Sequence, residues 1–268
     1  MLNRSGDGSS GDYSQRQTAR GLTGQSLMRN HTMNSCIAFG DCNTEGVKGY
    51  HEPVWPERVA EHFAMALTNC GHTMSTTREL THYAAAFPPR GYQLAFIQYG
   101  LVDSWLTFRG APYVLYYPDS SRRKLARKLV KKLKKWARRF HLQERWGEVE
   151  QVPLGEYLGN IERVVRSAPD TRFVLVATPP NLDEPRNPRI ERYNQGLQQL
   201  AAREPNAVLA DAFQQLWRHR ATVLMSDGTH LTADGHRMVA DAVISALAEG
   251  WPVSPDRKPR SSTPWSQG

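Results

Sequence analysis

Long apolar runs are missing from this 268-residue chain. No stretch approaches the ~20 consecutive apolar residues that a membrane-spanning helix needs. The N-terminal MLNRSGDGSSGDYSQRQTARGLTGQ has no apolar core of the kind a secretory signal carries. Its Gly/Ser/Gln/Arg-rich composition predicts disorder over residues 1–33, and the same argument covers the tail at 251–268. Cysteine is scarce as well. There are three, Cys36, Cys42 and Cys70, an odd number with no Cys-x-x-Cys spacing, and no His-x-x-x-His accompanies them. A zinc site therefore has no support, and no metal is expected. Without an export signal the expected compartment is the reducing cytoplasm, where thiols stay free. A Cys42–Cys70 redox pair stays open as an alternative.

Acidic residues are absent from one place in particular. Between Arg122 and Arg139 lie eleven Lys/Arg and no Asp or Glu. The formal net charge is +8, so the rest of the chain is net acidic and the basic character belongs to this segment. No nucleic-acid reader motif accompanies the charge, and nucleic acid is not expected as a partner. Within SRRKLARKLVKKLKKWARRF (121–140), Leu125, Leu129, Leu133, Trp136 and Phe140 form an apolar stripe at helical spacing. Three readings stay open for this basic amphipathic insertion. It is a helix docked by its stripe with a solvated basic face, a helix lying on an anionic membrane surface, or a site for a polyanion or phosphorylated cofactor. The second would place the protein peripherally at the inner face of the membrane.

What the chain does contain is a set of short apolar runs closed by turn residues. CIAFGD (36–41), QLAFIQYG (93–100), RFVLVATPP (172–180) and AVLADAF (207–213) read as buried strands, with a weaker fifth in MALTNCG (65–71). Helical patterns separate most of them. One begins at Pro56, one carries Leu154, Leu158, Ile161 and Val165 on one face, and the last follows a cap at Thr232. Strand–helix alternation with near-continuous apolar strands predicts one α/β domain over 34–250, with a parallel sheet covered on both faces. Ligand sites in such sheets form at the carboxyl ends of the strands. The segments there are Gly40-Asp41-Cys42, Gly71 to Thr77, Gly100 to Asp103 and Thr178-Pro179-Pro180.

Two blocks carry chemistry. Near the C-terminus, SDGTHLTADGH sets Asp227 three residues before His230. A carboxylate so placed can accept the imidazole Nδ1–H and leave Nε2 free to take a proton from a nucleophile. After the first strand stands FGDCNTEG. Together these blocks resemble the SGNH/GDSL hydrolase superfamily, whose first block reads Gly-Asp-Ser and whose last reads Asp-x-x-His. The resemblance spans about Ile37 to Leu247 and implies a three-layer α/β/α sandwich, flavodoxin-like, with strand order 2-1-3-4-5. It implies a Cys42–His230–Asp227 triad, with Cys42 where the family has its serine, and an oxyanion held by the backbone N–H groups of Cys42 and Met74. Asp41 would order the turn. A helix N-terminus and a His230 imidazolium are expected to lower the Cys42 thiol pKa.

The middle blocks depart from the family. NCGHTMSTT keeps Asn69, Gly71 and Thr76 but puts Met74 at an oxyanion glycine, where Met should resist a positive φ. YGLVDS keeps Gly100 and Asp103 but has Val102 where the family has a donating Asn. One lost oxyanion donor costs ~10²–10³ in rate. His72 is a candidate replacement donor, and Trp105 is either a pocket wall or a core aromatic. Cys36 is expected in the core, Cys70 in the second-block loop, and His236 in a structural role. The resemblance implies an esterase or acyltransferase acting on an ester or thioester. O-acyl groups of a cell-envelope polysaccharide or its precursor fit as substrate; no cofactor is required, and an acyl-CoA or carrier thioester is admissible as donor. The alternative is an inactive binding protein of the same fold for a glycan or lipid.

Overall fold

The computed structural model describes residues 34–140 and 146–250, so the expected disordered ends, 1–33 and 251–268, lie outside the described residues. The apolar runs become β1 (Ser35–Gly40), β2 (Ala66–Gly71), β3 (Leu94–Gln98), β6 (Arg172–Val176) and β7 (Ala207–Ala210). They pair in parallel in the order β2-β1-β3-β6-β7, which is the expected 2-1-3-4-5 arrangement. Between β3 and β6 lie β4 (Leu106–Phe108) and β5 (Glu148–Glu150), a separate antiparallel pair.

Strand alternation divides the core into two apolar layers. Ile37 and Phe39 of β1 face α3 (Thr77–Ala86), α5 (Leu154–Arg166) and α6 (Asn187–Arg203), meeting Leu80, Ile161 and Leu197. Cys36 and Ala38 face the other way, toward Trp55 and Val59 of α2 (Trp55–His62) and Val239 and Val243 of α9 (Ala233–Gly250). Ile161, Val165, Phe39 and Phe96 are fully buried, and truncating any of them to Ala should cost ~2–5 kcal/mol. Short helices α1 (Cys42–Glu45), α7 (Phe213–Arg218) and α8 (Arg220–Val223) finish the frame.

The long basic segment forms α4 (Ser121–Arg139). It is carried on an excursion whose two ends are stitched together, since Gln151 N–H donates to the Trp105 carbonyl at 2.7 Å and Val152 N–H to that of Asp103 at 3.0 Å. The small β4–β5 sheet was not foreseen, because three-residue strands such as Glu-Val-Glu carry no periodic signal. The docked-helix reading of α4 needs a larger correction. Ala137 is buried and Ala126, Arg127, Val130 and Lys134 are half-buried, so these residues make the inner face. The apolar stripe faces outward: Leu125 is 62% exposed, Leu129 59% and Trp136 61%. The inner face is held by polar contacts instead. Arg127 donates to the Leu115 carbonyl at 2.8 Å and to Asp119 at 2.6 Å, and its guanidinium lies over the Tyr116 ring.

Candidate active site

Cys42 opens α1 immediately after β1, at the carboxyl edge of the sheet. Asp41 caps that helix by accepting the Asn43 N–H at 3.0 Å, so the residue before Cys42 orders the turn. The Asp41 side chain is buried, and burial pushes its carboxyl up to about 7. Cys42 is itself 5% exposed. Burial, then the neighbouring Asp41 carboxylate, pushes its thiol well above the ordinary value. The expected low-pKa thiolate is therefore overturned. A four-residue helix supplies little dipole, and desolvation of a thiolate outweighs it. No hydrogen bond joins Cys42 Sγ to His230 among the described residues, so a resting thiolate–imidazolium pair is absent from them too.

Asp227 and His230 form a tight unit. Asp227 Oδ2 lies 2.5 Å from His230 Nδ1, while its Oδ1 accepts the backbone N–H groups of Thr229 at 2.9 Å and His230 at 3.0 Å. Partial burial raises the Asp227 carboxyl, but the hydrogen bonds from His230 and Thr229 outweigh it and hold it below the usual range. The loop bearing this pair is tied to the residue after Cys42. Asn43 Nδ2 donates to the Thr229 carbonyl at 3.3 Å, and its Oδ1 accepts the Leu231 N–H at 3.1 Å. One buried amide thus grips the backbone on both sides of His230. The strand β6 loop adds a second tie, from Asn181 Nδ2 to Thr229 Oγ1 at 3.0 Å.

The second block wraps the other side of Cys42. The Gly40 carbonyl accepts from His72 N–H at 3.0 Å and Ser75 Oγ at 2.9 Å, and Thr73 binds the Glu45 carboxylate through its N–H and its hydroxyl. Gly71 ends β2 against α1, where a Cβ would come within 2.4 Å of the Glu45 nitrogen. Met74 sits at φ +68°, the left-handed region that an L side chain disfavours. The expected resistance of Met to a positive φ is therefore carried as local strain, with the loop ties holding the residue there. Neither the Met74 nor the Cys42 backbone N–H is taken by another backbone group among the described residues.

The third block is a structural knot. Asp103 is fully buried and accepts from Thr77 N–H at 2.9 Å, Thr77 Oγ1 at 2.7 Å and Gly100 N–H at 3.2 Å. Burial pushes its carboxyl up to about 7. Gly100 takes φ +125° and packs on Thr178, whose hydroxyl a Cβ would meet at 2.2 Å. Val102 is buried and supplies no donor. Trp105 is partly buried beneath the Arg186 guanidinium, with its indole N–H unpartnered.

The remaining candidates separate clearly. His72 turns its ring toward Tyr83 and Tyr116, with Nδ1 2.9 Å from the Thr73 carbonyl, and none of these contacts reaches Cys42. His236 is buried, accepts the Trp55 N–H at 3.3 Å, and is held neutral by burial down to about 3. Cys70 is a β2 core residue packed with Phe39 and Leu80, not a loop thiol as expected. All three cysteines are free, and burial pushes Cys36 and Cys70 up to about 12. A concavity of about 380 Å³ between Arg78, His82, Tyr113 and Glu156 contains none of the Cys42, His230 and Asp227 side chains. No cluster of three potential metal-ligating side chains is found among the described residues. Asn43 is the site residue that sequence reasoning missed; its only signal was its place directly after Cys42.

A doubly covered parallel sheet with Gly-Asp-Cys after its first strand and Asp-x-x-His before its last helix has the layout of the SGNH/GDSL hydrolase class. Residues 38–238 match the model of the GDSL-like lipase/acylhydrolase family, and the chain belongs to that family. No curated protein matches the chain. Among solved structures it is similar to an acetylxylan esterase from Geobacillus stearothermophilus, at 16% identity and TM-score 0.55, covering 81% of this chain and 94% of that one. It is also similar to a lipase/acylhydrolase from Enterococcus faecalis, at 15% identity and TM-score 0.56, covering 81% and 96%. An α/β hydrolase from the metagenome of Lake Arreo, Spain, matches at 18% identity and TM-score 0.55, covering 80% and 95%. At these identities the likeness is one of fold.

Proposed function

We propose that the protein is an acyl-ester hydrolase or acyltransferase that uses Cys42 as a serine-like nucleophile. The observation that carries this reading is the Asn43 amide, which fixes the Asp227–His230 unit to the residue beside the thiol. Because burial favours the neutral thiol, Cys42 does not wait as a thiolate. Its proton passes to His230 Nε2 as Sγ bonds to the acyl carbon. Asp227 accepts the Nδ1–H and stabilises the imidazolium. The carbonyl electrons move to oxygen, which the backbone N–H groups of Cys42 and Met74 stabilise. Collapse expels the alcohol, which takes the proton from His230, and leaves a thioester on Cys42. Water completes hydrolysis; an acceptor hydroxyl completes transfer. No step calls on a cofactor, and an acyl-CoA or carrier thioester enters as donor by thioester exchange.

The substrate class we propose is an O-acylated carbohydrate, including a cell-envelope polysaccharide or its precursor, at the cytoplasmic face of the membrane. Its support is the likeness to an acetylxylan esterase. Val102 favours a second reading, a binding protein that retains the pocket without turnover. Steady-state assays on 4-nitrophenyl acetate and acetylated xylo-oligosaccharides separate the two. The enzyme reading predicts turnover that disappears in His230→Ala. Saturable oligosaccharide binding without any ester turnover favours the binding protein and overturns the enzyme.

A further inference from the structure

Among the described residues, seven large apolar side chains are exposed; four of them, Leu125, Leu129, Leu133 and Trp136, stand on α4, and Phe140 directly follows it. Scattered exposed apolar residues need no explanation, whereas a contiguous stripe along one helix marks an interaction surface. At the 100° turn per residue of an α-helix, Lys128, Lys132, Lys135 and Arg139 border that stripe on the side away from the protein body. Asp119 pairs with Lys124 and Arg127 at the inner, N-terminal end of the helix, away from these four cations. The bordering cations lie four and three residues apart and repel one another, a cost an anionic surface removes.

We propose that α4 is a membrane-docking helix that lays its Leu/Trp/Phe stripe into the interface of an anionic bilayer, with Lys128, Lys132, Lys135 and Arg139 on the lipid headgroups. The occupant follows from charge and polarity together. The chain's own ends carry more Lys/Arg than Asp/Glu, in 1–33 and in 251–268 alike, so neither complements a basic face. A second copy would oppose the same cations. A polyanion such as nucleic acid satisfies the lysines but leaves the leucines, Trp136 and Phe140 in water. An anionic lipid surface satisfies both, by the two-signal arithmetic of peripheral anchoring. The helix also connects to the site, since Arg127 lies 4.8 Å over the Tyr116 ring, and that ring is 6.1 Å from His72 in the second block. The proposal does not depend on the catalytic reading.

Flotation of the full chain with vesicles tests it without any activity readout. The protein should rise with vesicles of equal parts phosphatidylcholine and phosphatidylglycerol and remain behind with phosphatidylcholine alone. Lys128, Lys132, Lys135 and Arg139 all changed to Gln should weaken partitioning by about tenfold or more, and about 0.5 M salt should do the same. Leu129→Ser with Trp136→Ser should weaken it by a comparable factor at unchanged charge. These side chains are exposed, so circular dichroism and melting temperature should match the wild type in both variants. Absence of flotation, equal flotation with neutral vesicles, or an unaffected Gln or Ser variant overturns the proposal. So does displacement from the vesicles by duplex DNA of matched charge, which would assign the surface to a polyanion.

Discussion

On its His230 side, Cys42 is flanked by a complete set of joints: Asn43 grips Thr229 and Leu231, Asn181 holds Thr229, and Asp227 closes on the imidazole at 2.5 Å. On its oxyanion side the loops are equally well tied, through Gly40, Glu45 and Asp103, yet the groups they deliver are poorer. Met74 holds a backbone geometry that suits glycine, and Val102 brings a methyl pair where a donor amide would serve. On the proposed mechanism, the proton-handling half is intact while the charge-stabilising half is thinned.

The comparison breaks first at the nucleophile and base. Cys42→Ala and His230→Ala should each lower kcat/KM on 4-nitrophenyl acetate by ~10³–10⁴. A loss below tenfold in either would mean that the intact half does not do the chemistry. Asn43→Ala releases the His230 loop and should lower kcat by ~10². KM should change little and the fold should survive, as melting curves would show; a variant with wild-type kcat would reduce Asn43 to a packing residue. Val102→Asn restores a side-chain donor to the thinned half and should raise kcat by ~10-fold or more, within the range one oxyanion donor supplies. An unchanged rate would mean that this position does not face the oxyanion.

Smaller effects concern stability. Met74→Gly removes the left-handed strain and should stabilise the protein by ~1 kcal/mol in denaturant titrations, less the entropy that Gly adds to the unfolded chain. A destabilised variant would mean that the Met side chain contributes more packing than its backbone costs. Asp103→Asn should depend on pH. The Asp103 carboxyl is raised by burial to about 7, so its contribution is fully present below the unfolded value near 3.8 and is lost as pH rises through about 7. The thermal cost of Asp103→Asn should therefore be smaller at pH 8.5 than at pH 5. A cost that is flat or grows with pH would contradict a buried charge there.

Much of this was legible in the sequence. The strands were readable because a strand buried on both faces must be apolar throughout, and Asp227 with His230 because three residues of loop bring them together. The two amphipathic helices show where legibility stops. In α5, Ile161 and Val165 of the predicted stripe are fully buried. In α4 an equally regular stripe faces outward, with Ala126, Val130 and Ala137 packed inward instead. Periodicity identifies an apolar face but not what lies opposite it. The Cys42 pKa was misjudged for a related reason. Helix position is visible in a sequence, whereas the burial of one sulfur depends on residues distant along the chain. Asn43 escaped notice because its partners, Thr229 and Leu231, lie 186 and 188 residues away along the chain.

The most direct test of the central claim is intact mass spectrometry of the native chain, quenched in acid shortly after mixing with 4-nitrophenyl acetate. The account predicts a single acetyl adduct that maps to the peptide containing Cys42, with Cys36 and Cys70 unmodified and no adduct in Cys42→Ala. Ester turnover that persists in Cys42→Ala, or an acetyl group carried on another residue, would contradict it.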